Sequence, residues 1–157
     1  MASIHHEVVV KMDTDEAWAA LRQVGQAHRL FAPVLVGGQL DGDIRTVSFA
    51  NGMVVRERIL DVDDQRKRVA YAVLGGPGLE FHHASMELLE EGLGRCRFRW
   101  ITDFVPDNAA AALQPLIEQG SQALKKNLEG TPLARTGHRP DSRATSGIAE
   151  DGLGRRP

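Results

Sequence analysis

The sequence predicts an α+β fold: a seven-stranded antiparallel sheet wrapped around a long C-terminal helix, with two short helices after the first strand. Three observations support this. Short segments that alternate apolar and polar residues recur between turn signals, as half-buried antiparallel strands do. Residues 106–130 instead place apolar side chains at helical spacing. One amphipathic helix of that length can cover the face the strands leave bare, so a two-layer domain closes around one core.

The elements follow in order. His5 to Lys11 reads as the first strand. Asp13 is the expected cap of a helix with Ala17, Trp18, Leu21 and Val24 on one stripe, and Glu16 sits near its N-terminus where the helix dipole favours an acid. A second short helix, about Gln26 to Phe31, ends before Pro33. Strands are then expected at Val34 to Leu40, Ile44 to Ala50, Met53 to Val62, Arg68 to Leu74, Phe81 to Glu90 and Gly94 to Phe104. Asn51-Gly52 is a hairpin signal of the type I′ kind, because both residues tolerate positive φ. Gly42, Asp63-Asp64, GGPG at 75–78 and Gly92 mark the other turns. Pro106-Asp107 opens the long helix, whose stripe is Leu113, Leu116, Ile117, Leu124 and Leu128; Gly130 and Pro132 stop it, and Pro115 should bend it.

Length and composition bound the rest. The 157 residues suit one domain, and 42% hydrophobic with 25% charged residues is ordinary for a globular chain. Beyond Gly130 the apolar period stops and Arg, Gly, Pro, Ser and Thr dominate, so residues 1–130 are the expected domain and 131–157 an expected disordered tail. The tail's five arginines read as a solubilising appendage. A net charge of -2 and a pI near 6.3 argue against nucleic acid as the main partner. The single cysteine, Cys96, has no disulfide partner and suits a reducing compartment. No basic start followed by an apolar stretch opens the chain, and no run approaches bilayer-spanning length, so a cytoplasmic location without an integral membrane segment is expected.

Alternation also assigns faces. Arg56 and Arg58 share the outer face of their strand, which leaves Val55, Glu57 and Ile59 inside. Arg97 and Arg99 leave Cys96, Phe98, Trp100 and Thr102 inside; Arg68 and Ala70 point out, so Val69, Tyr71 and Val73 point in. His82, Ala84, Met86 and Leu88 are inward, whereas His83 and Ser85 face solvent. Val47 and Phe49 bring Arg45 inward with them. Three polar residues, Glu57, Arg45 and His82, thus join an apolar set. A lone carboxylate in a dry core costs several kcal/mol or stays protonated. Either Arg45 pairs with Glu57 as a structural ion bridge, or the interior holds a water-containing pocket that solvates it. Gly120, on the apolar stripe of the long helix, shortens a side chain where a ligand would sit.

These segments resemble the helix-grip fold of the START and birch-pollen-allergen (SRPBCC) superfamily, within it the polyketide cyclase/dehydrase-like branch. The resemblance rests on DEAWAAL at 15–21, GDIRTVSFANG at 42–52, VVRERILDVDD at 54–64, RVAYAVLGGP at 68–77, HASMEL at 83–88 and WITDFVPD at 100–107. It implies binding or carriage of a small hydrophobic ligand in a cavity between sheet and long helix, or a cyclase or dehydratase acting in that cavity. A protein-interaction role, or presentation of a lipid or quinone, is the third class it implies. The motif RER-I-L also resembles plant abscisic-acid receptors, which places Glu57 at the cavity, with Tyr71 and Val73 as the inward strand pair and His82 where those receptors have a pocket tyrosine. Their gate and latch sequences are missing, since ANG at 50–52 and GPGLE at 76–80 stand in those loops. A tryptophan common in the second helix region is also replaced, by RLFAP at 29–33.

The expected ligand-binding set is therefore Arg45, Val47, Phe49, Glu57, Ile59, Tyr71, Val73, His82, Ala84, Phe98, Trp100, Ile117 and Gly120. As an enzyme, the chain would use Glu57 or His82 to move protons, Arg45 to stabilise an enolate and Tyr71 to bond a substrate oxygen. Trp18 belongs to a packed helical stripe, and Trp100 is a candidate for stacking on a ligand. Adjacent histidines on a strand, His5-His6 and His82-His83, point to opposite faces and cannot chelate one ion, so no metal site is expected. GGPG lacks the Lys and following helix of a phosphate cradle, and no motif calls for a cofactor.

Overall fold

The structure, a computed structural model, describes residues 2–76 and 78–130. The chain runs β1 (Ala2–Val10), α1 (Thr14–Leu21), a 3-10 turn (Val24–Gln26), α2 (Ala27–Leu30), β2 (Leu35–Asp41), β3 (Ile44–Phe49), β4 (Val54–Asp63), β5 (Arg68–Val73), β6 (Phe81–Glu90), β7 (Cys96–Val105), a second 3-10 turn (Asp107–Ala109) and α3 (Ala110–Gly130). The strands form one antiparallel sheet in the order β1-β7-β6-β5-β4-β3-β2. β2 to β7 make a meander, and β1 closes beside β7 in the register Val8↔Phe98. This is the α+β helix-grip arrangement the periodicities and the resemblance predict. The expected tail, 131–157, and Pro132 lie outside the described residues. Among the described residues no helix is long and apolar enough to cross a membrane.

The inner face of the sheet builds the core. Val10, Val69, Ala84, Leu88 and Phe98 pack with Trp18 and Leu21 of α1 and with Leu124 and Leu128 of α3. A smaller cluster joins Ile4, Phe104 and Ile117. On the outer face a ladder of ion pairs crosses three strands: Glu7 with Arg97 (2.9 Å) and Arg99 (2.7 Å), Arg97 with Glu91 (2.6 Å), and Arg99 with Glu87 (3.1 Å). The arginines that identify the solvent face in the sequence are thus engaged there by acids from neighbouring segments.

The C-terminal half of α3 is fastened at two places. Lys125 Nζ donates to the Val9 carbonyl and to Glu129, which also accepts from the Lys11 backbone N–H. Asn127 Nδ2 donates to the carbonyls of Leu30 and Ala32, both at 2.8 Å, where the chain leaves α2. Pro115 lies inside α3 beyond its first turn, where its missing N–H removes one rung of the helical ladder.

Three local expectations change. Asp13 occupies the N-cap position of α1 but caps no helix N–H; its carboxylate accepts the Gly94 backbone N–H instead, tying α1 to the turn before β7. The β3–β4 hairpin is not type I′, because Asn51 does not adopt positive φ. Gly52 alone does (φ 91°), and its N–H donates to the Phe49 carbonyl. Phe49 N–H in turn donates to the Met53 carbonyl, which gives a three-residue loop with glycine in the left-handed position. Ala70 follows the outward phase yet is only 4% exposed, because a methyl group on a central strand, opposite Asp61 and Ser85, is shielded by longer neighbours.

Candidate functional site

Between the inner face of the sheet and the N-terminal half of α3 lies a cavity of about 510 Å³. It exists because α3 is fastened at its C-terminal end, whereas Ala109, Ala112, Leu113 and Leu116 bridge over the concave sheet. A space of this size suits a drug-sized ligand, and its walls are mainly apolar with a few polar groups.

Register places one polar group. Glu57 on β4 stands opposite Arg45 on β3 and Val73 on β5. Arg45 Nε donates to Glu57 Oε2 at 2.6 Å, and both residues are 7% exposed. The guanidinium also donates to the Val24 carbonyl at 3.2 Å and lies 5.1 Å from the centre of the Tyr71 ring. Burial raises the Glu57 carboxyl above its ordinary range, against the pull of Arg45. Glu57 is thus paired with Arg45, and it also lines the cavity. Arg45 does not line the cavity and stands behind two residues that do, Glu57 and Tyr71.

Tyr71 and Trp100 form an inner wall. Burial first, then the Glu57 charge, raises the Tyr71 hydroxyl well above the usual phenol range, so it stays protonated. Trp100 packs on Phe31 (centroids 5.6 Å apart) and edge-on to Phe98 (6.1 Å). Its buried indole N–H favours the Tyr71 oxygen electrostatically but makes no well-aligned hydrogen bond. Gly120 lines the cavity, but its missing side chain is not open ligand space: a Cβ there would stand 2.9 Å from Trp100 Cζ3. The glycine lets helix and indole approach each other.

His82 on β6 supplies the other polar group. Its Nε2 lies 2.8 Å from Thr102 Oγ1, and the threonine hydroxyl donates to the His83 carbonyl at 3.2 Å. Burial, with a smaller effect of His83, holds the His82 imidazole below the usual histidine range, so it is neutral at pH 7. His83 points away and stacks on Phe81.

Of the sequence-predicted set, the structure brings Val47, Phe49, Glu57, Tyr71, Val73, His82, Trp100, Ile117 and Gly120 to the cavity wall. Ala84 and Phe98 are buried in the core, with Ile59 packed against it; Ala84 and Ile59 flank the wall residue Tyr71 in register, and Phe98 is the next inward residue of β7 before Trp100, opposite Leu88. Further residues line the wall, among them Val54 and Arg56, whose phase on β4 is the outward one. Val55, Met86 and Thr102 carry the inward phase already assigned, and Leu113 and Leu116 belong to the helical stripe, so both groups were open to sequence reasoning. Phe31 and Leu35 near α2, and Leu74, Gly75, Gly76, Gly78 and Leu79 after β5, reach the mouth through tertiary placement that local periodicity does not encode.

No group of three potential metal ligands occurs among the described residues. Cys96 is fully buried, and burial, with Glu90 and Asp13 nearby, pushes its thiol up to about 11, which makes it unreactive at neutral pH.

No curated protein matches the sequence. Among solved structures, the chain is similar to XoxI from Bacillus cereus (TM-score 0.74, 16% identity, over 80% of this chain and 94% of that one). It is also similar to the di-domain ARO/CYC BexL from the BE-7585A biosynthetic pathway (TM-score 0.69, 14% identity, 82% of this chain and 47% of that one). Norcoclaurine synthase from Thalictrum flavum gives a TM-score of 0.63 at 19% identity, over 80% of this chain and 91% of that one. At these identities the likenesses show the fold alone. The sequence itself matches the family described as polyketide cyclase / dehydrase and lipid transport over residues 1–129, and the chain belongs to that family.

Proposed function

We propose that the protein binds a small hydrophobic molecule in the cavity between the sheet and α3, as a binding or carrier protein. The observation that carries this reading is the cavity of about 510 Å³, walled mainly by apolar side chains with few polar groups. Empty, it would expose apolar surface to water or leave space unfilled; a ligand removes that surface from water. Titration with the neutral apolar fluorophore 1-aminoanthracene tests the site. Val73, on the sheet floor between Glu57 and His82, is the position to fill. Val73→Trp is expected to weaken dye binding at least about tenfold, since the indole occupies space the ligand needs. Unchanged dye affinity in a folded Val73→Trp variant, judged by circular dichroism, would place the binding site elsewhere.

A second reading, cyclase or dehydratase chemistry on a polyketide-like substrate, is supported by the family and by the polar groups at the wall, Glu57, Tyr71 and His82. Turnover separates the two: a carrier returns its ligand intact, whereas a catalyst returns a molecule changed in mass or absorbance.

A further inference from the structure

The Thr102 hydroxyl is 1% exposed and has one hydrogen to give. It has two polar neighbours, the His83 carbonyl at 3.2 Å and His82 Nε2 at 2.8 Å. A carbonyl oxygen can only accept, so the arrangement that satisfies both contacts sends the threonine hydrogen to His83. His82 Nε2 must then carry the hydrogen that faces Thr102 Oγ1. In a neutral imidazole this leaves Nδ1 bare. Among the described residues no donor is bonded to Nδ1, and His82 lines the cavity. The carboxylate at the wall, Glu57, is bonded to Arg45 through Oε2.

From this geometry, and resting on the cavity reading above, we propose that His82 Nδ1 is a hydrogen-bond acceptor for the ligand and that the site selects apolar ligands carrying a hydroxyl donor, a phenol or an enol, over the same skeleton without one. Register gives the ligand's extent. Continuing the β5–β6 pairing beyond Ala72↔His83 sets Val73 opposite His82, and Val73 stands opposite Glu57. His82 and Glu57 are thus two strand spacings apart, roughly 10 Å, so a body of about two rings lies over Val73 with its hydroxyl at His82. A buried acceptor built to take a hydrogen penalises an analogue that lacks one, because the acceptor is then desolvated without a partner.

The test is calorimetric titration of the whole protein with 2-naphthol and with 2-methoxynaphthalene, which share the ring body but differ in the donor. The wild type is expected to prefer 2-naphthol by about tenfold. His82→Phe should bring the two affinities together, and its circular dichroism is the check that the variant folds. Equal affinities in the wild type, or a preference that survives His82→Phe, would overturn the acceptor while leaving the cavity reading in place. Failure of both probes to bind would overturn the cavity reading as well. The tautomer is checked independently by 15N NMR: His82 Nδ1 should resonate as an unprotonated nitrogen in the free protein. An Nδ1–H tautomer would reverse the selectivity argument and sink the proposal.

Discussion

A single ion pair decides how the inner face tolerates polarity. With Arg45 and Glu57 both 7% exposed, removal of one partner leaves a buried charge without compensation. Arg45→Met is expected to lower stability by about 3–5 kcal/mol at neutral pH, and the double substitution Arg45→Met with Glu57→Leu to recover most of it, read by urea denaturation. The pH dependence carries a definite sign. Glu57 has a folded pKa above its ordinary 4.5, so the native state holds the proton more tightly than the unfolded chain. Loss of Arg45 removes the pull that lowers Glu57 and raises its carboxyl further, so the deficit of Arg45→Met should be full above the variant's folded pKa and shrink as pH falls toward the wild type's; a pH-independent deficit would mean that the Glu57 charge is not its cause. Gly120 makes a second residue-scale case. Gly120→Ala puts a methyl into Trp100 and should cost about 1–3 kcal/mol, with a changed near-UV dichroism of the indole. The sequence shows that Gly120 lies on the apolar stripe but not which side chain fills the space above it.

Elements were legible to the extent that their periodicity survives burial. Alternation in β4, β6 and β7 assigns Glu57, His82 and Thr102 to the correct face, because one face of each strand carries Arg or Glu that must reach solvent. Turns were less legible. Asn51-Gly52 is compatible with more than one hairpin, and loop length, which depends on where pairing stops, selects the three-residue form. Asp13 reads locally as a cap, but a tertiary partner, Gly94 N–H, takes its carboxylate. Two predictions belong at this scale. Asn127→Ala removes both donors that hold the Leu30 and Ala32 carbonyls, and is expected to cost about 1–3 kcal/mol and to speed hydrogen exchange in α2. On the outer ladder, hydrogen bonds to Arg99 and Arg97 hold the Glu7 carboxyl below its ordinary 4.5. A depressed carboxylate stabilises above its unfolded pKa, and that contribution fades as pH falls through the folded value. Glu7→Gln should therefore flatten the loss of stability below about pH 4.5, a slope measurable by denaturant titration at stepped pH. An unchanged slope would assign the acid sensitivity to other carboxylates.

For the whole molecule, the helix-grip architecture follows from a meander whose concave face needs one long helix, and both halves of that statement stand in the order of periodic segments. The cavity does not follow as directly. It depends on where α3 is fastened: Lys125 and Asn127 hold the C-terminal half down, and the N-terminal half packs on the small Ile4, Phe104 and Ile117 cluster while it also walls the cavity. Neither tie can be read from the helical stripe, and alternation alone does not separate Ala84 and Phe98, which lie in the core, from the wall residues that share their face. The mouth, built from the segment after β5 and the start of α3, is equally a product of long-range placement. The central claim is that this space is a ligand site, and the most direct measurement is native mass spectrometry of the untagged protein purified from its own cells, with release and identification of whatever it holds. The account predicts a bound apolar compound, released intact on denaturation, carrying a hydroxyl group. Protein that is recovered at the mass of the bare chain, and that stays bare when its own cells' lipophilic extract is added back, would contradict it.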